Sequence, residues 1–312
     1  MKKGDNMKMT IKRWALISVF LLAIILVAIP LNKMGNDKKV IIGGKNFTEQ
    51  YLLAEMAKTL MENNGFIVDL KTGVGSTVIR QSLLQDQIDL YYEYTGTAYT
   101  VYQNQSDTDV MTSKDRCYEW VKKADAEKGL IWLERVPFNN SYTLMMRKEY
   151  ADKLRISSIS DLSQYINRYP EILLIGVNAE FWERPDGFKA LMKYYDFEVP
   201  YNSIKKMESG LAYKALQEKQ VSVSMGFETD GRIDAFGFIN LEDDRSFFPV
   251  YNSAPVIREE TLNKYPEIRE ILKPIAEYLT TEDMRKLNAD VDIEHKQVED
   301  IAIEWLKIKG LL

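Results

Sequence analysis

The residues best equipped for chemistry lie in one run, Asp89-Leu90-Tyr91-Tyr92-Glu93-Tyr94-Thr95-Gly96-Thr97. It reads as a short strand ending in a Thr-Gly turn, where the backbone can bend sharply into a following helix. Tyrosine rings beside such a turn form a ligand wall; the plainer alternative is a buried tyrosine-rich strand. Asp89, Glu93, Glu228 and Asp230 could be paired on paper as acid and base, as in a two-carboxylate glycosidase. No nucleophilic arrangement supports catalysis, because the one histidine, His295, sits in the charged segment 292–300 and the one cysteine is Cys117. The same counts exclude a metal cluster of His/Cys type and an internal disulfide. Cys117 falls in a charged helical pattern with Tyr118, Trp120 and Val121 and reads as a packed thiol. Thr72-Gly73-Val74-Gly75-Ser76 lacks the GxxxxGK[ST] spacing of a phosphate loop. The expectation is a binding protein, not an enzyme, with no cofactor and no metal.

These residues need a scaffold, and the chain is long enough for one. It has 312 residues, 46% of them hydrophobic, which implies about two domains. The net charge of −5, with no basic tract in the part after the first hydrophobic run, argues against nucleic acid as a partner. Strand and helix patterns alternate: strand Val40–Gly44, a helix from Glu49 to about Asn63 capped by Thr48 and stopped by Gly65, strand Phe66–Leu70, helix Thr77–Gln87, then the tyrosine strand and a helix from Gly96 to Tyr102. Strand Leu130–Val136 follows, and strand Tyr142–Met146 resumes after a break. Strand Ile172–Val177, helix Pro185–Tyr195, helix Gly210–Lys219 and strand Val221–Met225 come next. Thr280-Thr281-Glu282-Asp283 resembles a capping box. This alternation implies α/β sheets with mainly parallel strands. At the N-terminus, Lys2, Lys3, Lys8, Lys12 and Arg13 precede an uncharged apolar run, Trp14 to Leu31. Its length and the basic bias predict an uncleaved signal anchor with the remainder extracytoplasmic, cleavage at an atypical site being the alternative. No cysteine follows the run for lipid attachment, and Asn32–Lys39 reads as a linker.

Six motifs in order carry a resemblance: Gly44-Lys-Asn-Phe-Thr-Glu-Gln50, Glu93-Tyr-Thr-Gly-Thr97, Phe138-Asn-Asn-Ser-Tyr142, Arg184-Pro-Asp-Gly187, Thr229-Asp-Gly231 and Phe248-Pro-Val-Tyr-Asn-Ser-Ala-Pro255. Over roughly Val40 to Leu312 the chain resembles the substrate-binding proteins of osmoprotectant ABC transporters, which take glycine betaine, choline or carnitine. The resemblance implies a two-lobed type II periplasmic-binding fold with two crossings between lobes: 1–39 anchor and linker, 40–142 first lobe, 143–247 second lobe, 248–312 first lobe again. It also implies a separate permease and ATPase as partners. A ligand sensor on the same fold is the alternative.

A quaternary ammonium has no hydrogen-bond donor and is held by ring faces, each worth about 0.5–2 kcal/mol when desolvated. A carboxylate at the other end wants arginine. Carried over position by position, the resemblance implies a cage of Tyr94, Tyr142, Phe227 and Tyr251. Phe227 departs from the tyrosine expected there, and Tyr213 is the substitute wall. Arg184 is implied as the carboxylate clamp, with Lys45 as a second charge and Thr97 as a hydroxyl donor. Gln50 and Asn140 are the further polar candidates.

Overall fold

The computed structural model describes residues 38–170 and 173–312. The expected anchor, Trp14 to Leu31, and the start of the Ile172 strand lie outside the described residues. Among the described residues no helix is long and apolar enough to cross a membrane.

Two five-stranded sheets form two lobes. The first is built from β1 (Lys38–Lys45), β2 (Phe66–Val74), β3 (Leu90–Tyr94), β4 (Leu130–Trp132) and β10 (Ser253–Arg258), in the order β2-β1-β3-β10-β4. The second holds β5 (Tyr142–Arg147), β6 (Ile175–Val177), β7 (Ile204–Lys206), β8 (Val223–Phe227) and β9 (Phe238–Asn240), in the order β7-β6-β8-β5-β9. The chain leaves the first sheet after β4 and returns to it only at β10. Both sheets are mixed, which corrects the expectation of mainly parallel strands. β1 runs parallel to β3, while β10 is antiparallel to β3 and β4. β6 is parallel to β7 and β8, while β5 is antiparallel to β8 and β9. The strands that break the pattern, β5 and β10, are those that enter a lobe directly from a crossing. The strand-helix rhythm that forces parallel neighbours does not apply to them. The two crossings lie side by side, with an antiparallel bridge between Asn139 and Asn252.

Helix α1 (Thr48–Asn63) buries Leu52, Leu53, Met56, Ala57 and Leu60, the i, i+4 stripe seen in the sequence, and stops before Gly65 at φ +83°. Thr48 is its first residue and does not cap it. Its hydroxyl donates instead to Asp292 at 2.6 Å. Helix α2 (Ser76–Leu84) is shorter than predicted, and β2 runs on through Lys71–Val74. Cys117, on helix α3 (Lys114–Ala126), is fully buried, and burial pushes its thiol up to about 12. In the second lobe, helices α4 (Ile159–Arg168), α5 (Ala179–Glu183), α6 (Phe188–Tyr194) and α7 (Ser209–Gln217) flank the sheet. After β10 the chain closes with α8 (Ile268–Tyr278), α9 (Thr281–Asp292) and α10 (Val298–Ile308). The capping box at Thr280 and Asp283 is formed. The apolar side chains of α1, α8, α9 and α10 pack with β1 and β2 into one core of the first lobe.

Candidate functional site

Lys45, Tyr94, Thr97, Asn140, Tyr142, Arg184, Phe227 and Tyr251 line one cleft between the lobes. Most reach it from strand ends and crossings, where side chains from two sheets can meet, while Thr97 comes from the helical turn after β3 and Arg184 from the turn between α5 and α6. β5 and β8 place Tyr142 directly opposite Phe227, so both rings lie on one face. The Tyr142 ring is 5.0 Å from Phe227, 5.6 Å from Tyr251 and 4.6 Å from Phe181, centroid to centroid. Gly96 is required by this approach, since a Cβ there would lie 2.9 Å from the Tyr251 ring and 2.8 Å from the Val250 carbonyl.

On the first lobe, Tyr94 is set by hydrogen bonds. Its hydroxyl donates to Glu49 Oε1 at 2.7 Å and accepts from Gln50 Nε2 at 3.0 Å. Lys45 Nζ lies 5.0 Å from the Tyr94 ring centroid and donates to Glu93 Oε1 at 2.6 Å, both groups being buried. Glu93 also accepts from the Tyr91 and Tyr102 hydroxyls. Of the three tyrosines in the Asp89–Thr97 run, only Tyr94 faces the cleft. Tyr91 and Tyr92 are core residues, so the run is both ligand wall and buried strand.

Arg184 sits in the Arg-Pro-Asp-Gly turn between α5 and α6. Nε and Nη2 grip Asp186 at 2.7 Å each, Nη1 reaches Glu180 at 3.1 Å, and Nη2 reaches the Thr97 hydroxyl at 3.2 Å. Gly187 permits this turn, because a Cβ would fall 2.0 Å from the Phe181 carbonyl oxygen. Asp186 is also tied to the first lobe by the Thr100 hydroxyl at 2.6 Å and to the crossing by the Tyr251 hydroxyl at 2.6 Å. Burial alone would raise the Asp186 carboxyl, but Arg184 and these hydroxyls outweigh it and hold it below the ordinary range. The guanidinium carbon lies 5.2 Å from the Tyr142 ring centroid and 5.7 Å from that of Tyr251. These ring faces therefore already carry a cation, and both basic groups of the cleft are already countered by carboxylates.

Glu49 holds the lobes together behind the rings. Besides Tyr94 it accepts from Asn140 Nδ2 at 2.9 Å and from the Thr229 hydroxyl at 2.6 Å. Burial raises its carboxyl to about 7, although these three hydrogen bonds favour the charged form.

Gln50 does not line the cleft. It is buried behind Tyr94, spending its amide on the Tyr92 carbonyl and the Tyr94 hydroxyl and accepting from the Lys45 backbone. Tyr213 is not a wall either. Its hydroxyl accepts from the Phe227 backbone N–H at 2.9 Å and Arg232 lies over its ring at 4.1 Å, so it supports Phe227 from behind. Six lining residues were missed: Asn46, Phe47, Ser76, Asn178, Glu180 and Ser209. Phe47 stacks on Phe227 at 5.4 Å and adds another ring, and Glu180 puts a carboxylate beside Arg184. Phe47 lies inside the motif quoted above, and its aromaticity was the available signal. Glu180 had none, because its position depends on how α5 docks.

Residues 38–308 match the family described as the substrate-binding domain of the ABC-type glycine betaine transport system. The chain is 37% identical over 276 residues to a glycine-betaine-binding protein of Pseudomonas aeruginosa, covering 87% of this chain and 88% of that one. It is 32% identical over 307 residues to a glycine betaine-binding protein of Escherichia coli, covering 96% and 98%. A crystal structure titled glycine betaine/carnitine/choline ABC transporter superposes with a TM-score of 0.70 at 26% identity, covering 87% of this chain and 99% of that one.

Proposed function

Because the chain belongs to the family of substrate-binding domains of ABC-type glycine betaine transport systems, we propose that it captures a quaternary ammonium compatible solute, such as glycine betaine, choline or carnitine, between its lobes. One observation carries this reading: Phe47, Tyr94, Tyr142, Phe227 and Tyr251, drawn from both lobes and a crossing, line one cleft. Such ring faces suit a diffuse, cheaply desolvated cation. Arg184 is the residue for a ligand carboxylate, provided Asp186 and Glu180 yield part of its donor set. Thr97 and Asn140 offer further polar contacts. Lys45 lends charge at the Tyr94 end.

Closure of the lobes, taken as 40–142 with 248–312 against 143–247, presents the ligand to a permease on a separate chain, powered by its own ATPase. The run Trp14 to Leu31 holds the protein at the membrane, with the binding lobes extracytoplasmic.

Isothermal titration with glycine betaine, choline and carnitine tests the reading, with an uncharged sugar as control. Micromolar binding of at least one quaternary amine, and none of the sugar, is expected. Silence from folded protein with all of them overturns it. Arg184→Ala should weaken glycine betaine more than choline, and equal losses would remove the carboxylate role.

A further inference from the structure

Glu49, Asn140 and Thr229 close a cycle of contacts across the cleft. They come from α1 in the first lobe, from the crossing and from the segment after β8 in the second lobe. Asn140 Nδ2 lies 2.9 Å from Glu49 Oε1, Asn140 Oδ1 lies 2.8 Å from the Thr229 hydroxyl, and that hydroxyl lies 2.6 Å from Glu49 Oε2. All three residues are buried. At these separations no water fits between the partners, so each contact needs a hydrogen of its own.

The cycle is one hydrogen short when Glu49 is ionised. Thr229 brings a single hydroxyl hydrogen for two acceptors, and the Asn140 amide donates from one end only. Turning the amide over moves the gap without filling it. Nδ2 would then serve Thr229, Thr229 would serve Glu49, and Asn140 Oδ1 would meet Glu49 Oε1 with no hydrogen between them. Tyr94 cannot help, since its hydroxyl hydrogen is spent on its own 2.7 Å contact with Glu49 Oε1. A proton on the Glu49 carboxyl completes the cycle with the amide either way round.

The surroundings act in the same sense. Asp230 disfavours a charge on Glu49, and burial raises the carboxyl to about 7. Glu208 before α7, Asp292 at the end of α9 and Tyr51 on α1 line the cavity that Glu49 borders. Among the described residues the one cation lining it is Arg232, which is held by Asp230 and Asp292. Lys45 is spent on Glu93.

We infer that Glu49 is a positioning residue of the closed cleft that seats Tyr94, Asn140 and Thr229 with a proton on its carboxyl, so that ligand capture takes up a proton. The inference rests on the proposed capture between the lobes. Opening carries Thr229 away from Glu49 and returns the carboxyl to water and its ordinary value of 4.5. Affinity is then level above about pH 8 and rises as pH falls through 7 toward 4.5.

The test is titration of the full chain in detergent with choline and glycine betaine, neither of which titrates between pH 5 and 8. Buffers of differing ionisation heat count the protons taken up. Binding should be at least about tenfold tighter at pH 5.5 than at pH 8, with about 0.5–1 proton taken up per ligand at pH 6. Glu49→Gln, whose amide brings its own hydrogen, should abolish the uptake and flatten the profile. Thr229→Ala, which removes two of the three contacts, should reduce the uptake, and Thr229→Ser should restore it. If Glu49→Gln does not fold, the Thr229 pair decides. Binding by the parent without proton uptake would overturn the inference, as would full uptake in Glu49→Gln or Thr229→Ala. No binding of either ligand by the parent at any pH would instead overturn the cage reading and take this inference with it.

Discussion

The two lobes contribute rings to the same cleft and hold them by different means. On the first lobe, Tyr94 stands on polar supports: Glu49 and Gln50 at its hydroxyl and the Lys45–Glu93 pair beside its ring. On the second, Tyr142 is wedged among Phe181, Phe227 and Phe248, and this ring cluster is continuous with the core of the lobe. The first arrangement fixes orientation, because buried hydrogen bonds are directional and costly to leave half made. The second fixes volume, because rings pack through area and tolerate small changes of chemistry more readily than loss of bulk. A cage built this way has one wall that is sensitive to a single atom and another that is sensitive to size.

The sharpest challenge to this contrast is Tyr142→Ala. It should cost about 3–5 kcal/mol of stability and lower ligand affinity by at least about 100-fold, read by denaturant melts and titration. A loss of binding with unchanged stability would show that the ring is not part of the lobe's core. Next comes Glu49→Gln, which probes the buried carboxyl under the other wall. Its folded pKa, about 7, lies above the ordinary value of 4.5, so the folded state binds the proton more tightly than the unfolded one. Stability from this group is therefore fully present below about pH 4.5 and is lost as pH rises through 7. The groups facing it are Tyr94, Asn140, Thr229 and Asp230. Thermal melts at pH 5 and pH 8 should differ less in Glu49→Gln than in the parent, and identical pH profiles would show that Glu49 does not titrate in this window. Tyr94→Phe removes one donor from that carboxyl and should cost about 1–3 kcal/mol, seen as a clear affinity loss. Tyr142→Phe should cost less than Tyr94→Phe, and equal losses would erase the distinction between the walls. The smallest effect is expected from Phe227→Tyr, which keeps the ring on the packed wall and should leave affinity within about threefold by titration.

The sequence by itself carried the apolar stripe of α1, the Gly65 stop, the capping box at Thr280, the packed state of Cys117 and the motif order that points to the family. These follow from local chemistry: periodicity, allowed φ and short-range hydrogen bonding act within a few residues. The motifs also held most of the residues that meet in the cleft. Only the tertiary structure decided how those residues are spent. β5 and β10 run antiparallel because they enter from crossings, which no local pattern announces. Gln50 and Tyr213 became supports behind rings, while Phe47 from the same motif as Gln50 became a wall. Arg184 and Lys45 turned out to be paired with Asp186 and Glu93, and Glu49 to bridge both lobes. Apart from the Arg184–Asp186 pair, which is two residues apart in the chain, these outcomes depend on which groups are brought together across tens or hundreds of residues, and that is set by strand register and the docking of two sheets.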